Sequence, residues 1–163
     1  MMAKQLKGIT LIESLVYLAV FGVMFFAVMQ FVFTVIDSNR RANSINEIDK
    51  AAIFINQHIN DSFDTASSVN TGLSTFDDNN GVLRLNVTGG YIEYNLDSDR
   101  LNFDNNGVTS SYLSPLGLEL SSFFVEQIQD KESNVIGARI TTTVIAPKET
   151  DISKTITTSY TLD

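Results

Sequence analysis

From Ser14 to Ile36 the chain runs 23 residues without a charge, and only Ser14, Tyr17, Gln30 and Thr34 interrupt its apolar character. Coiled as an α-helix at about 1.5 Å per residue, such a run reaches roughly 34 Å, enough for a hydrocarbon core of about 30 Å. This stretch constrains the fold more than any other, because a helix apolar on every side cannot face water. It needs lipid, a protein core or neighbouring helices. A secretory signal fits less well. Its apolar core is shorter, and Thr34-Val35-Ile36-Asp37-Ser38-Asn39 offers no small-x-small cleavage site. A plain signal anchor is the stronger alternative. Basic residues do not orient the span, since Lys4 and Lys7 precede it while Arg40, Arg41 and Lys50 follow it.

Glu13 stands at the edge of this run, where ionised groups are unfavourable and often functional. Just before it lies Lys7-Gly8-Ile9-Thr10-Leu11-Ile12. Basic leader, glycine, apolar residue, carboxylate five positions after the glycine and long apolar run together resemble the processing motif of type IV pilins and type II secretion pseudopilins. The resemblance covers about the first 30 residues. It implies cleavage after Gly8 by a membrane prepilin peptidase, N-methylation of the new terminus Ile9, and an assembly role for Glu13. Gln30 departs from the pattern, standing where pilins often carry proline, so the usual kink is not expected. In a dry filament core a neighbour's Ile9 ammonium would offset the Glu13 charge, each being otherwise a buried unpaired ion. A hydrated carboxylate at the membrane edge is the alternative and needs no partner.

After the span the chain turns polar yet carries no glycine or proline from Asp37 to Phe63. Ile45, Ile48, Ala52, Ile55 and Ile59 recur by threes and fours, which gives one apolar stripe on a helix. The expectation is one nearly continuous helix from Ile9 to about Phe63, with Asp37-Ser38-Asn39 the place for a bend. Its second half should pack on the chain's own sheet. Asp64 to Asn80 reads as a loop rich in Ser, Thr, Asn, Asp and Gly. Beyond it the period falls to two. Val82 to Val87, Tyr91 to Leu96, Leu101 with Phe103, Leu118 to Ile128, Ile136 to Ala146 and Ile152 to Leu162 have strand composition. Gly89-Gly90, Asn106-Gly107 and Pro147 punctuate them. The sum is an α+β fold, a long N-terminal helix on an antiparallel sheet of about five to seven strands. The domain organisation is a leader at 1–8, a transmembrane or filament-core helix at 9–36, its amphipathic continuation at 37–63 and a β-rich, pilin-like domain at 64–163. The pattern is similar to minor J-like pseudopilins.

Composition narrows the chemistry. The chain has no cysteine, so it has no disulfide framework, thiolate metal site or cysteine nucleophile. A net charge of −8 disfavours nonspecific nucleic-acid binding, which needs Lys and Arg on phosphates. His58 is the only histidine and reads as a surface or sheet-facing side chain. No Gly-x-Ser-x-Gly elbow or phosphate-cradling loop is present, so an enzyme is not expected. Phe76-Asp77-Asp78-Asn79-Asn80-Gly81 and Phe103-Asp104-Asn105-Asn106-Gly107 look alike. With Asp97 and Asp99 they offer hard oxygen ligands for calcium, so Asp77, Asp97, Asp99 and Asp104 are weak candidates. Turn chemistry is the simpler reading, because Asn-Gly tolerates positive φ, and no cofactor is expected. Asn86-Val87-Thr88 matches a glycosylation sequon.

The resemblance implies a structural subunit of a type IV pilus or type II secretion pseudopilus. It would reside in the cytoplasmic membrane with its leader inside and its β domain outside, then enter the filament. Leu15, Leu18, Phe21, Phe25 and Val28 would pack on neighbouring helices, and Gly22 would permit close approach. The implied partners are prepilin peptidase, sister subunits, an assembly platform and its ATPase. The alternative is a monomeric, membrane-anchored binding module outside the cytoplasm.

Overall fold

The computed structural model describes residues 10–147 and 152–162. Gly8 and Ile9 lie outside them. Helix α1 spans Leu11–Thr65, 55 residues, and continues through Asp37-Ser38-Asn39 without interruption. Thr10 starts it: its Oγ1 accepts a hydrogen bond from the Glu13 amide at 3.3 Å, and its carbonyl accepts from the Ser14 amide at 3.1 Å. That satisfies a donor which the first helical turn leaves orphaned. Near the other end Thr65 Oγ1 donates back to Asp61 and Ser62 carbonyls, and the chain leaves the helix directly into a strand.

The chain divides into two compact units, one ending at Ala42 and the other beginning at Asn43. In the first, every described residue is exposed. Among the described residues, α1 is the one helix long and apolar enough to cross a membrane.

The second unit is the folded domain. Its eight described strands are β1 Ala66–Val69, β2 Val82–Val87, β3 Gly90–Asp97, β4 Arg100–Asn105, β5 Thr109–Tyr112, β6 Glu119–Gln129, β7 Val135–Ile145 and β8 Ser153–Thr161. They form two antiparallel sheets, ordered β1-β2-β3-β4-β5 and β6-β7-β8. The long helix on antiparallel β-structure is the α+β arrangement expected, but one sheet has become two. The chain breaks between them at Leu113–Leu118, where Pro115 withholds an amide donor and Gly117 adopts φ 96°.

One core serves both sheets. Ile48, Ala51, Ile55, Ile59 and Phe63 of α1 join Leu83, Leu85, Tyr94 and Leu101 of the first sheet and Leu120, Phe123, Val125, Ile140 and Val144 of the second. The helix stripe differs from expectation at its start. Ile45 keeps 43 % of its surface exposed, and the buried row begins one turn later at Ile48. Ala51, Ser62 and Phe63 extend the row, because a 3.6-residue period carries a stripe slowly around the helix. Phe63 stacks on Tyr160 of β8, with ring centroids 5.1 Å apart, so helix end and last strand close the core together.

Two strands arise where none was expected. β1 forms inside the Ser- and Asn-rich stretch read as loop, and β5 is Thr-Ser-Ser-Tyr. Both are four residues long and depend on hydrogen bonds to β2 and β4 rather than on an apolar alternation.

Candidate functional site

The residues singled out in the apolar segment are all placed on the surface of α1. Leu15, Leu18, Phe21, Phe25 and Val28 are exposed, and a side chain added at Gly22 would meet nothing within 4 Å. Phe21 and Phe25, one turn apart, stack with centroids 6.4 Å apart and planes 21° from parallel. Glu13 sits in the first turn, where the positive end of the helix dipole favours a carboxylate. The Tyr17 hydroxyl donates to Glu13 Oε1 at 3.2 Å from the next turn. Thr10-Leu11-Ile12-Glu13 also has capping-box spacing, a local signal the sequence reading passed over. Here the box is half made. Thr10 caps the Glu13 amide, while the Glu13 carboxylate turns to Tyr17.

His58 faces the sheet. Its Nδ1 lies 2.7 Å from the Tyr94 hydroxyl, and its ring meets Phe103 edge-on at 4.6 Å with Phe54 at 6.2 Å. Ser62 Oγ is 2.6 Å from the same Tyr94 hydroxyl and donates to the His58 carbonyl at 3.0 Å. The serine therefore meets the backbone of His58, not its imidazole, and the pairing is not that of a nucleophile and its base. Burial lowers the histidine pKa below 6.5, against the opposing attraction of Asp61. Burial also raises the Tyr94 phenol well above its ordinary value, partly offset by the Ser62 hydrogen bond. Burial thus disfavours the charged form of both groups in this polar knot between β3 and α1.

The acidic candidates lie in or beside turns and bends. Ser98 and Asp99 both take left-handed backbone, φ 51° and 59°, and form a two-residue hairpin between Asp97 and Arg100. Asp97 accepts from the Tyr112 hydroxyl at 2.6 Å and from Ser98, which hold its carboxyl below the usual range. Asp104 Oδ1 accepts from the Gly107 amide at 2.6 Å, under the Asn106-Gly107 turn whose φ values are 58° and 68°. Asp77, at φ 58°, donates its amide to the Val125 carbonyl at 2.9 Å. Among the described residues no three histidine or carboxylate side chains gather as a metal cage. Asn86, the sequon asparagine, donates its amide nitrogen to Ser68 Oγ at 2.9 Å and accepts from Asn70 at 3.2 Å.

The two similar Asn-Gly segments do different jobs. Asn106-Gly107 turns a hairpin, as expected. Asn79-Asn80-Gly81 instead lies along the edge of β6: Gly81 N donates to Phe123 O and Phe123 N to Asn79 O, each at 2.8 Å. A Cβ on Gly81 would sit 2.7 Å from that Phe123 oxygen, so only glycine admits this approach.

One further feature was not legible beforehand. Glu47, Lys50, Ala51 and Phe54 of α1 and Leu113, Pro115, Leu116 and Leu118 line an open, mostly apolar groove of about 410 Å³. Its far wall is the inter-sheet connection, whose place against the helix no local pattern announces. No known protein family, curated protein or solved structure matches the chain.

Proposed function

We propose that this chain is a structural subunit, a minor pilin or pseudopilin, of a type IV pilus or type II secretion pseudopilus. In this reading the precursor is cut after Gly8, Ile9 becomes the N-methylated terminus, and the apolar half of α1 exchanges lipid for sister helices. Glu13 then meets the new terminal ammonium of a neighbour. The observation that carries the reading is the contrast within one helix. Residues 11–42 are exposed throughout, while the later turns from Ile48 complete a core of their own. The first half is thus free to serve contacts outside the chain without unmaking the domain. The resemblance of Gly8 to Glu13 supplies the rest.

Mass spectrometry of the protein from cells with the maturation machinery tests this directly. The expected result is an N-terminus at methylated Ile9, with the protein in sheared filament fractions. Glu13→Ala should leave membrane insertion intact and reduce recovery in those fractions. An intact leader on protein that never leaves the membrane would overturn the reading in favour of an anchored module.

A further inference from the structure

We infer that the apolar half of α1 pairs in the membrane with that of a second copy, the two helices parallel and joined at depth by reciprocal hydrogen bonds between their Gln30 side chains. Ser14, Tyr17, Gln30 and Thr34 are the polar side chains in the run from Ser14 to Ile36. Three of them are satisfied within the helix itself. Ser14 Oγ donates to the Thr10 carbonyl at 3.4 Å, the Tyr17 hydroxyl to Glu13 at 3.2 Å and Thr34 Oγ1 to the Gln30 carbonyl at 2.9 Å. The Gln30 carboxamide is exposed, and among the described residues no hydrogen bond reaches it.

Depth makes that lack costly. Gln30 lies about 9 Å before Ile36, at about 1.5 Å per residue. Helical side chains lean towards the N-terminus, so the amide tilts back towards the bilayer centre and away from the nearer headgroups. A carboxamide, with its N–H donors and its carbonyl oxygen, is penalised when left unbonded in hydrocarbon. With water remote and no partner on its own helix, the amide needs one on another.

The amide's own chemistry selects that helix. It donates and accepts at once, so two of them facing across a two-fold axis satisfy one another. Copies anchored with one orientation bring Gln30 to one height without further design, whereas an unrelated helix would need a polar group at the same depth. The axis then runs along the membrane normal and keeps both helices pointing the same way. Counting back from Gln30 by fours and threes, Phe26, Val23, Ala19 and Val16 share its side of the helix, all exposed. Ala19 and Val23 line a shallow hollow there, where a second helix can approach closely. One polar residue in an otherwise apolar seam fixes register and partner number in paired helices. The inference rests on α1 crossing a membrane and not on filament assembly, since a lone anchored module would pair in the same way.

The test uses the full chain in membranes from cells lacking prepilin peptidase, where no filament contributes. The chain has no cysteine, so an introduced one reports alone. Val23→Cys, on the Gln30 side of the helix, should form a disulfide dimer on oxidation, because seam positions of paired helices come within disulfide reach. Its yield should exceed that of Phe21→Cys, on the opposite side, by about tenfold through local concentration. When differently tagged copies are expressed together, both tags should appear in the dimer. Adding Gln30→Leu to Val23→Cys should weaken pairing about tenfold, two hydrogen bonds at roughly threefold each, while Gln30→Asn, which keeps a carboxamide, retains most of it. Equal yields at Val23→Cys and Phe21→Cys, an undiminished dimer with Gln30→Leu, or a cross-linked partner of another mass in place of the second copy overturns the inference.

Discussion

Residues 11–42 and residues 48–63 belong to the same helix, yet they are stabilised by different surroundings. In the first stretch apolar residues occupy every side and the chain covers none of them. In the second most of them fall in the row Ile48, Ala51, Ala52, Ile55, Ile59 and Phe63, which the two sheets bury, while Ile53 and Phe54 stay exposed beside it. The comparison teaches that hydrophobicity alone does not say where a helix finds its partner. Its distribution around the axis does. A stripe implies a partner within the fold, whereas an apolar girdle implies one beyond it.

The largest effect that tests this contrast is expected in the stripe. Ile55→Ala should destabilise the domain by about 2–5 kcal/mol, as buried aliphatic truncations do, whereas Leu18→Ala should leave its unfolding midpoint unchanged. Urea titration of the detergent-solubilised chain, followed by tyrosine fluorescence because no tryptophan is present, measures both. Equal losses for the two variants would break the comparison. In the girdle the sensitive change is a charge. Val23→Arg should cost about 2.5–3.5 kcal/mol of insertion and move protein into the carbonate-extractable pool, with the domain's urea midpoint retained.

Smaller effects sharpen the account of how the second stretch is held. Tyr94→Phe removes the hydroxyl beside His58 and Ser62 and should cost about 1–3 kcal/mol in the same titration. His58 adds a pH dependence whose sign follows from burial. Its folded pKa lies below 6.5, so between that value and 6.5 the unfolded chain binds more protons. Stability is then fully present above pH 6.5 and declines as pH falls through the folded pKa. His58→Phe should flatten this slope. Asp97 and Asp130, whose carboxyls are held below 3.8, lose their contribution only at lower pH and leave the histidine window clear.

How much of this was legible depends on whether the cause was local. The helix through Phe63, the strands β2, β3, β6, β7 and β8, and the Asn106-Gly107 turn follow from periodicity or from backbone preference at single residues. β1 and β5 do not, because their short polar runs become strands only when β2 and β4 offer ladders. The Ser98-Asp99 turn was missed since neither residue is glycine, although short polar side chains also visit the left-handed region. Asn79-Asn80-Gly81 resembled a hairpin and instead covers an edge, a choice made by β6 some 40 residues later in the chain. Of the candidate site, Glu13 and the exposed girdle were readable from spacing and composition. The groove beside Phe54 was not, being built from segments far apart in sequence.

The closing contacts between helix and last strand carry a consequence for the order of synthesis. Lys154 reaches Asp49 across 105 residues, and Tyr160 reaches Asn56 across 104. Each sheet is a run of neighbouring strands that can pair as it emerges, and the stripe from Ile48 to Phe63 can meet the first sheet early, but its closing contacts with β8 must wait for nearly the whole polypeptide. Long-range closures of this kind slow folding, because the entropy of ordering the intervening loop is lost before the contact is gained. A ribosome stalled before β8 would therefore hold a nascent chain whose core is open along the side that Tyr160 closes, with Phe63 still without its stacking partner.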